Sequence, residues 1–522
     1  MSMKRYFHIS LFLLLSVLPL GMFADEYDTN NYPPVVMVEL EETNLPIVFI
    51  DTRDEADTAQ AIHKDWRIAA RMKIINNSDG INYGDTLAHP GQTVDYEGWV
   101  AIRYRGYSSF TSSRKKPYNF KTMKTADPAG EKLKATLLGM PKDNTWVLIA
   151  PFWDRSMLRD VLVFQLARPY FDYTPRCRYC EVVLNGTYYG IYVLAENIRK
   201  GSNRLDLDDP GDRGDALTGG YLLQVDRNDE PGFTSTYKAV DKNGKEYTAH
   251  NTIYLQYKHP DYEDMTESQI EYIQQRVKQM EDALASDDFA DPDKGYQQYL
   301  DTWSFIDQQL SQEFSGNVDG YRLSTYIYKQ RDSKDPRFKT ALWDFNLAFG
   351  NTSTAHAKET DFWRYQNSYL TDFNAHNKVP FWWMRLMEDP EYVKKLKSRW
   401  ARYRNESYSN EHIEAAIDSI ATLLNSGGAQ QRNNTAWIMF HESTYEDEIE
   451  RVKNWISERT AWMDEQLGFD GMASVPNYSF NKQIIGYYAV DGRRLSAPPA
   501  RGPFIVRFQD GTARVVIAGS HF

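Results

Sequence analysis

Asp319 and Asp344 are two carboxylates that local sequence alone can bring together. Asp319 lies in Asn317-Val-Asp-Gly-Tyr-Arg-Leu-Ser324, and Asp344 lies in Trp343-Asp-Phe-Asn346. Between them, Leu323 to Lys329 and Phe338 to Trp343 are rich in β-branched and aromatic residues, which suit extended backbone. The linking Gln330-Arg-Asp-Ser-Lys-Asp-Pro-Arg337 carries the Asp, Ser and Pro that favour turns. The pattern predicts a hairpin with Asp319 just before its first strand and Asp344 just after its second. Although 25 residues apart in sequence, the two acids then sit at the same open end, close enough to share a metal ion. An ordinary hairpin whose turns are capped by acids is the plainer alternative.

The elements that must position this hairpin change character along the chain. Residues 33–103 alternate strand-like runs, at Val35 to Leu40, Leu45 to Ile50, Ala69 to Ile75 and Trp99 to Arg103, with Asn, Gly and Asp turns. The stretch to about Tyr257 stays β-rich, with one helix expected near Ser156 to Ala167. Beyond Thr266, amphipathic helices are expected at Glu267 to Ala285, Tyr296 to Phe314, Pro390 to Tyr403, Asn410 to Leu424 and Tyr445 to Gln466. In the last, Asp447, Glu448, Glu450 and Arg451 are expected to face outward, with Ile449, Val452, Trp455 and Ile456 as the apolar stripe. Thr266 and Gln269 have the spacing of a capping box. The expected fold class is α+β, two-lobed, with a β-rich N-terminal part and a helical C-terminal part around the hairpin. After Met472 short strands with Asp491-Gly492 and Asp510-Gly511 turns predict a small C-terminal β tail over 475–522.

Composition narrows the partners. The formal charge of −12 comes with no basic block, so nucleic acid is not an expected ligand. Cys177 and Cys180 are the only cysteines, too few for a four-ligand zinc site. Three apart on an apparent strand they would point to opposite faces, which leaves two buried thiols or one strained bridge. Lys4 and Arg5 precede an apolar run from Ile9 to Phe23, then Ala24 and Asp25, as in a signal peptide over 1–24. The expected location is therefore exported: periplasmic, cell surface or extracellular. No later segment is long and apolar enough to be a transmembrane helix.

Several segments recur together in an order that resembles the CotH family of atypical kinases, named for spore coat protein H. They are Arg105-Gly-Tyr-Ser-Ser109, Lys115-Lys-Pro-Tyr-Asn-Phe-Lys121, Asp154-Arg-Ser-Met-Leu-Arg-Asp160, Asn185-Gly186 through Glu196-Asn197, Gly219-Gly-Tyr-Leu-Leu-Gln-Val-Asp226 and Trp343-Asp-Phe-Asn-Leu-Ala-Phe-Gly350. The resemblance runs from about Leu45 to Leu467 and implies a kinase domain over 101–470, preceded by a β-rich segment over 25–100. It is similar in logic to protein kinases, where one acid orients the acceptor hydroxyl and an Asp-Phe-Gly acid holds Mg²⁺. The resemblance implies Asp319 as the catalytic acid, Asp344 as the principal metal ligand and Asn346 as its helper. Ser324 stands where kinases carry a metal-binding Asn. Lys116 or Lys121 would meet the nucleotide; strand alternation puts them on opposite faces, and the choice stays open. Glu196 would pair with that lysine, while Arg105 and Arg159 are further phosphate candidates.

The implied cofactors are ATP and Mg²⁺ (or Mn²⁺), and the implied reaction is transfer of the γ-phosphate to Ser or Thr of an extracytoplasmic protein. ATP is scarce outside the cytoplasm, so a non-catalytic surface binding or adhesion protein on the same scaffold is the alternative. Paired carboxylates about 5–10 Å apart would also suit a glycoside hydrolase. The tail is similar to the C-terminal secretion signals of Bacteroidetes proteins, which would add association with the cell surface.

Overall fold

A computed structural model of the chain describes residues 32–471, apart from 242, 248–250, 354–355, 367–376 and 441–442, and four strands between 484 and 518. The segment read as a signal peptide lies outside the described residues. The fold is α+β.

Seven strands close a barrel: β1 (Ile47–Asp51), β2 (Ile68–Ile75), β3 (Val94–Tyr104), β4 (Tyr118–Met123), β5 (Thr145–Ile149), β6 (Cys177–Leu184) and β7 (Thr187–Glu196). Their order is β6-β7-β5-β4-β3-β2-β1, and the parallel pairing of β6 with β1 shuts the ring. Closure removes the exposed edges that an open sheet would carry. Alternation fills the interior with Ile74, Ile102, Phe120, Trp146, Tyr192 and Leu194. β3 runs through residue 100, so strands from both sides of that position share one sheet. Val35 to Leu40, expected as a strand, forms none; its exposed Val35, Val36 and Met37 have no sheet to join.

The second layer is an antiparallel sheet of β8 (Tyr221–Val225), β9 (Gly232–Lys238), β10 (Thr252–His259), β11 (Thr325–Lys329) and β12 (Lys339–Ala341), in the order β9-β10-β8-β11-β12. β11 and β12 are the predicted hairpin, paired through Tyr326 with Ala341 and Ile327 with Thr340. Its strands are shorter than expected because both ends bend into turns that carry the acids.

The longer helices are α1 (Arg159–Ala167), α2 (Glu267–Ala285), α3 (Thr302–Ser315), α4 (Pro390–Asn405), α5 (Asn410–Ser426), α6 (Ala429–Trp437) and α7 (Tyr445–Leu467). The Thr266–Gln269 capping box opens α2 as its spacing predicted. The helix expected from Tyr296 splits into a short 3₁₀ turn and α3, because Asp301 caps a new start by accepting from the Ser304 amide. α6, missed in the sequence, covers the barrel where the Asn433 side chain accepts from the Ile191 amide and from the Lys115 ammonium. Cys177 and Cys180 are both free thiols, and burial pushes each up to about 12.

Buried charge ties the helices together and sets a pH dependence. Glu281 of α2 accepts from the Ser235 hydroxyl at 2.7 Å and the Trp382 indole at 3.0 Å, yet burial still raises it to about 7. A carboxyl raised in this way contributes stability below about pH 4.5 that is lost as pH rises through about 7. Glu281→Gln is therefore expected to melt like the parent near pH 4.5. At pH 8 it should be more stable by about 3 kcal/mol. Thermal unfolding at the two pH values checks this; equal melting at pH 8 would refute it.

The strands beyond 472 form a separate unit, a four-stranded antiparallel sheet of β13 (Ile484–Ala489), β14 (Arg494–Leu495), β15 (Gly502–Phe508) and β16 (Ala513–Ala518). The Asp-Gly turns expected between them lie outside the described residues. Among the described residues, no helix is long and apolar enough to cross a membrane.

Candidate active site

Asp319 and Asp344 line one cleft of about 580 Å³ between the barrel and the β8–β12 sheet. Each is delivered by a chain reversal. α3 ends at Gly316, whose φ of 55° is left-handed, and the chain turns through Asn317 and Asp319 into β11. After β12 the chain reverses again at Asp344, with a φ of 67°, and leaves through Gly350 with a φ of 70°. A Cβ on Gly316 or Gly350 would lie 2.5 or 2.7 Å from the Trp455 ring of α7, so both turns need glycine where they pack against that one side chain.

The Asp344 turn is held on every side. Trp343 and Phe345 are buried against Phe164 of α1, one stacked and one edge-on. The Phe345 amide donates to Asp160 at 2.6 Å, the Asn317 carboxamide donates to the Asp344 carbonyl at 2.9 Å, and the Phe349 amide donates to the Ser315 carbonyl at 2.8 Å. The Ser324 hydroxyl donates to Asp344 Oδ2 at 3.1 Å. Ser324 is itself left-handed, with a φ of 48°, and its amide donates to Asp226 Oδ2 at 3.0 Å. Ser324 thus orients the Asp344 carboxylate.

The electrostatics of the cleft are lopsided. Burial, reinforced by the charge of Asp319, pushes Asp344 up to about 6, against the opposing pull of Arg105 and Ser324. Burial and the neighbouring Asp344 push Asp160 up to about 7. Burial raises Asp226 as well. A divalent cation would relieve this accumulated charge. Among the described residues, no three His, Cys, Asp or Glu side chains form a metal cage. Mg²⁺ needs none, since it is typically held by one or two carboxylates, water and substrate phosphates. Asp344 and Asn346, both lining the cleft, fit that pattern. Asp319 is oriented by an ion pair with Arg322 at 2.5 Å and by a hydrogen bond from its own amide to Asn317.

The other expected site residues separate. Arg105 lines the cleft, its guanidinium 5.2 Å from the centre of the Trp343 ring. Arg159 does not reach it: fully buried, it pairs with Asp154 and Glu448 and donates to the Ala348 carbonyl, bracing the Asp344 turn from behind. Glu196 meets neither lysine. It pairs with Arg176 at 2.7 Å and Arg204 at 3.5 Å and accepts from the Tyr173 hydroxyl at 3.1 Å, in a cluster of its own. The Lys116 ammonium donates to the Phe110 carbonyl and lies over the rings of Tyr32 and Phe110. Lys121, lowered to about 8 chiefly by burial, has Arg67, Lys132, Asp261 and Arg199 as its charged neighbours. Neither lysine lines the cleft.

Cleft residues without an assigned role in the sequence include Asp160, Asp226, Arg103, Lys64 and Lys258. Asp160 and Asp226 end two of the recurrent segments, which was the available signal. Lys64 and Lys258 come from segments with no motif, and only the fold brings them in.

A family model described as CotH kinase protein matches residues 102–463. No curated protein matches the chain in sequence.

Proposed function

Because the chain belongs to the CotH kinase protein family, we propose that it is a kinase transferring the γ-phosphoryl group of ATP to a serine or threonine hydroxyl of an exported protein. The observation that carries this reading is the convergence of Asp319 and Asp344, from opposite ends of one hairpin, on a single charge-loaded cleft. When bound there, Mg²⁺ would supply charge neutralisation and in-line positioning of the phosphates. Asp344 and Asn346 would hold it, with Ser324 fixing the carboxylate that does so.

In the transfer, the acceptor oxygen forms a bond to the γ-phosphorus while the bond from that phosphorus to the β,γ-bridging oxygen breaks and ADP departs. Asp319 orients the acceptor hydroxyl, accepts its hydrogen bond and takes up its proton as the new oxygen–phosphorus bond forms. Arg322 keeps the Asp319 carboxylate aimed while leaving one oxygen for the acceptor. Phosphoryl transfer asks for positioning and electrostatics more than covalent help, which suits a site built from braced turns.

The test is label transfer from γ-phosphate-labelled ATP with Mg²⁺ or Mn²⁺. Asp319→Asn is expected to lower the rate by about 10²–10⁴-fold with the fold intact by circular dichroism. Equal labelling by parent and variant would remove Asp319 from the mechanism. No labelling by the parent would favour the binding-protein reading of the same scaffold.

A further inference from the structure

We propose that Arg103, Arg105 and Lys64 form the polyphosphate-binding wall of the cleft, in place of a strand lysine at 116 or 121. The inference rests on the kinase reading for its biological ligand, and its chemistry is that of a nucleoside triphosphate's phosphate chain.

Tyr104, near the end of β3, is buried in the barrel interior, so its neighbour Arg103 must face outward. Arg103 pairs in register with Asn119 of β4, and both line the cleft. Arg105 follows two residues later and also lines it, beside the Trp343 ring. Lys64 is brought alongside because the Tyr104 amide donates to the His63 carbonyl at 2.8 Å. Three cations from two separate stretches of chain therefore line one cavity.

What marks them is that none is held in a close ion pair, although Arg105 attracts Asp344 and Asp160. Arg227, Arg322 and Lys258 in and around the cleft each pair with a carboxylate, respectively Asp226, Asp319 and Glu230. Among the described residues, Arg103, Arg105 and Lys64 are in no ion pair. Glu230 exerts a field on Arg103 and Lys64, but its close partner is Lys258. The Arg103 Nε is buried without a hydrogen-bond acceptor. A buried donor left unpaired is costly and normally finds a partner, and a phosphate oxygen would supply one. Burial and the repulsion of Arg103 and Arg105 lower Lys64, a strain that a bound anion would relieve.

The wall faces the acids. Asp344, Asp319, Asp226 and Asp160 would repel bare phosphates, so the chain of phosphates belongs against the barrel with the carboxylates beyond it. Guanidinium forks bind phosphate oxygens in pairs, which an ammonium cannot do.

Calorimetric titration of the full chain with inorganic tripolyphosphate, without divalent metal, tests the wall. The parent is expected to bind. Arg103→Met and Arg105→Met should each weaken binding by about tenfold. Lys64→Met should weaken it by a smaller factor, Arg103→Lys should be intermediate, and Lys116→Met and Lys121→Met should bind as the parent does. The two distal lysines serve as equal-charge controls. Failure of the parent to bind overturns the proposal, as does unchanged affinity in Arg105→Met with Arg103→Lys, or a loss confined to the distal lysines. If Arg103→Met does not fold by circular dichroism, the Arg105 and Arg103→Lys variants decide. Tripolyphosphate binding without phosphoryl transfer would refute the kinase reading and keep the wall. Transfer indifferent to both arginines would do the reverse.

Discussion

Asp344→Asn is expected to cut phosphoryl transfer on the order of 10³-fold while the protein melts at the same temperature or higher. The loss follows from replacing the carboxylate proposed to hold the metal with a neutral group of the same shape. The melting follows from the sign of its titration. Burial and Asp319 raise Asp344 to about 6, so the stability it contributes below about pH 3.8 is lost as pH rises through about 6. At pH 7.5 the parent carries a buried, poorly compensated charge that the variant lacks. The Ser324 hydroxyl and the Asn317 carboxamide keep their acceptors, since one meets a side-chain oxygen and the other the main-chain carbonyl. Labelling and thermal melting at pH 7.5, run on the same preparation, check both halves. Activity within tenfold of the parent would exclude Asp344 as principal ligand, and a lower melting temperature would contradict the electrostatic account.

Arg459→Met should instead destabilise the fold by about 3–5 kcal/mol. Arg459 and Glu313 form an ion pair at 3.0 Å with both side chains about 1% exposed, deep between α3 and α7. The Glu313 carboxylate also accepts from the Arg364 and Tyr365 amides and from the Tyr321 hydroxyl, while Arg459 donates to the Thr360 and Phe362 carbonyls. Removing the guanidinium strands the carboxylate in a site that already raises it by burial. Glu313 lies on the helix whose end launches the Asp319 turn, so the pair supports the site from outside it. Urea unfolding measures the loss. Adding Glu313→Gln to Arg459→Met should recover part of it, because the buried charge is gone. A loss under about 1 kcal/mol would show that the pair is replaceable.

The hairpin and most helices were legible because they rest on local rules. β11 and β12 carry β-branched and aromatic residues around a polar turn, α2 opens on a capping box, and α7 shows a 3.6-residue stripe. In α7 the stripe Ile449, Val452, Trp455 and Ile456 is buried as periodicity predicted. Glu448, expected outward on the same helix, is buried against Arg159, because a residue 289 positions earlier supplies a charge that no local pattern announces. Glu196 was misplaced for the same reason: a strand-end acid takes whichever cation the fold offers, and Arg176 and Arg204 stood nearer than any lysine.

By itself the sequence determined which acids share a hairpin end, since a strand, a turn and a second strand return the chain to its start whatever surrounds them. It also determined the α+β class and the family segments, which depend on residue type and order. Only the tertiary structure decided which cations share a cleft with those acids. Barrel closure turns Arg103 and Arg105 into the cleft, and loop packing adds Lys64. Meanwhile Lys116 lies against Tyr32 and Phe110, and Arg159 is committed to Asp154 and Glu448. Backbone periodicity fixes which face of its own strand or helix a side chain occupies. What that face looks upon is set by contacts between residues far apart in the chain, and those exist only once the layers have packed.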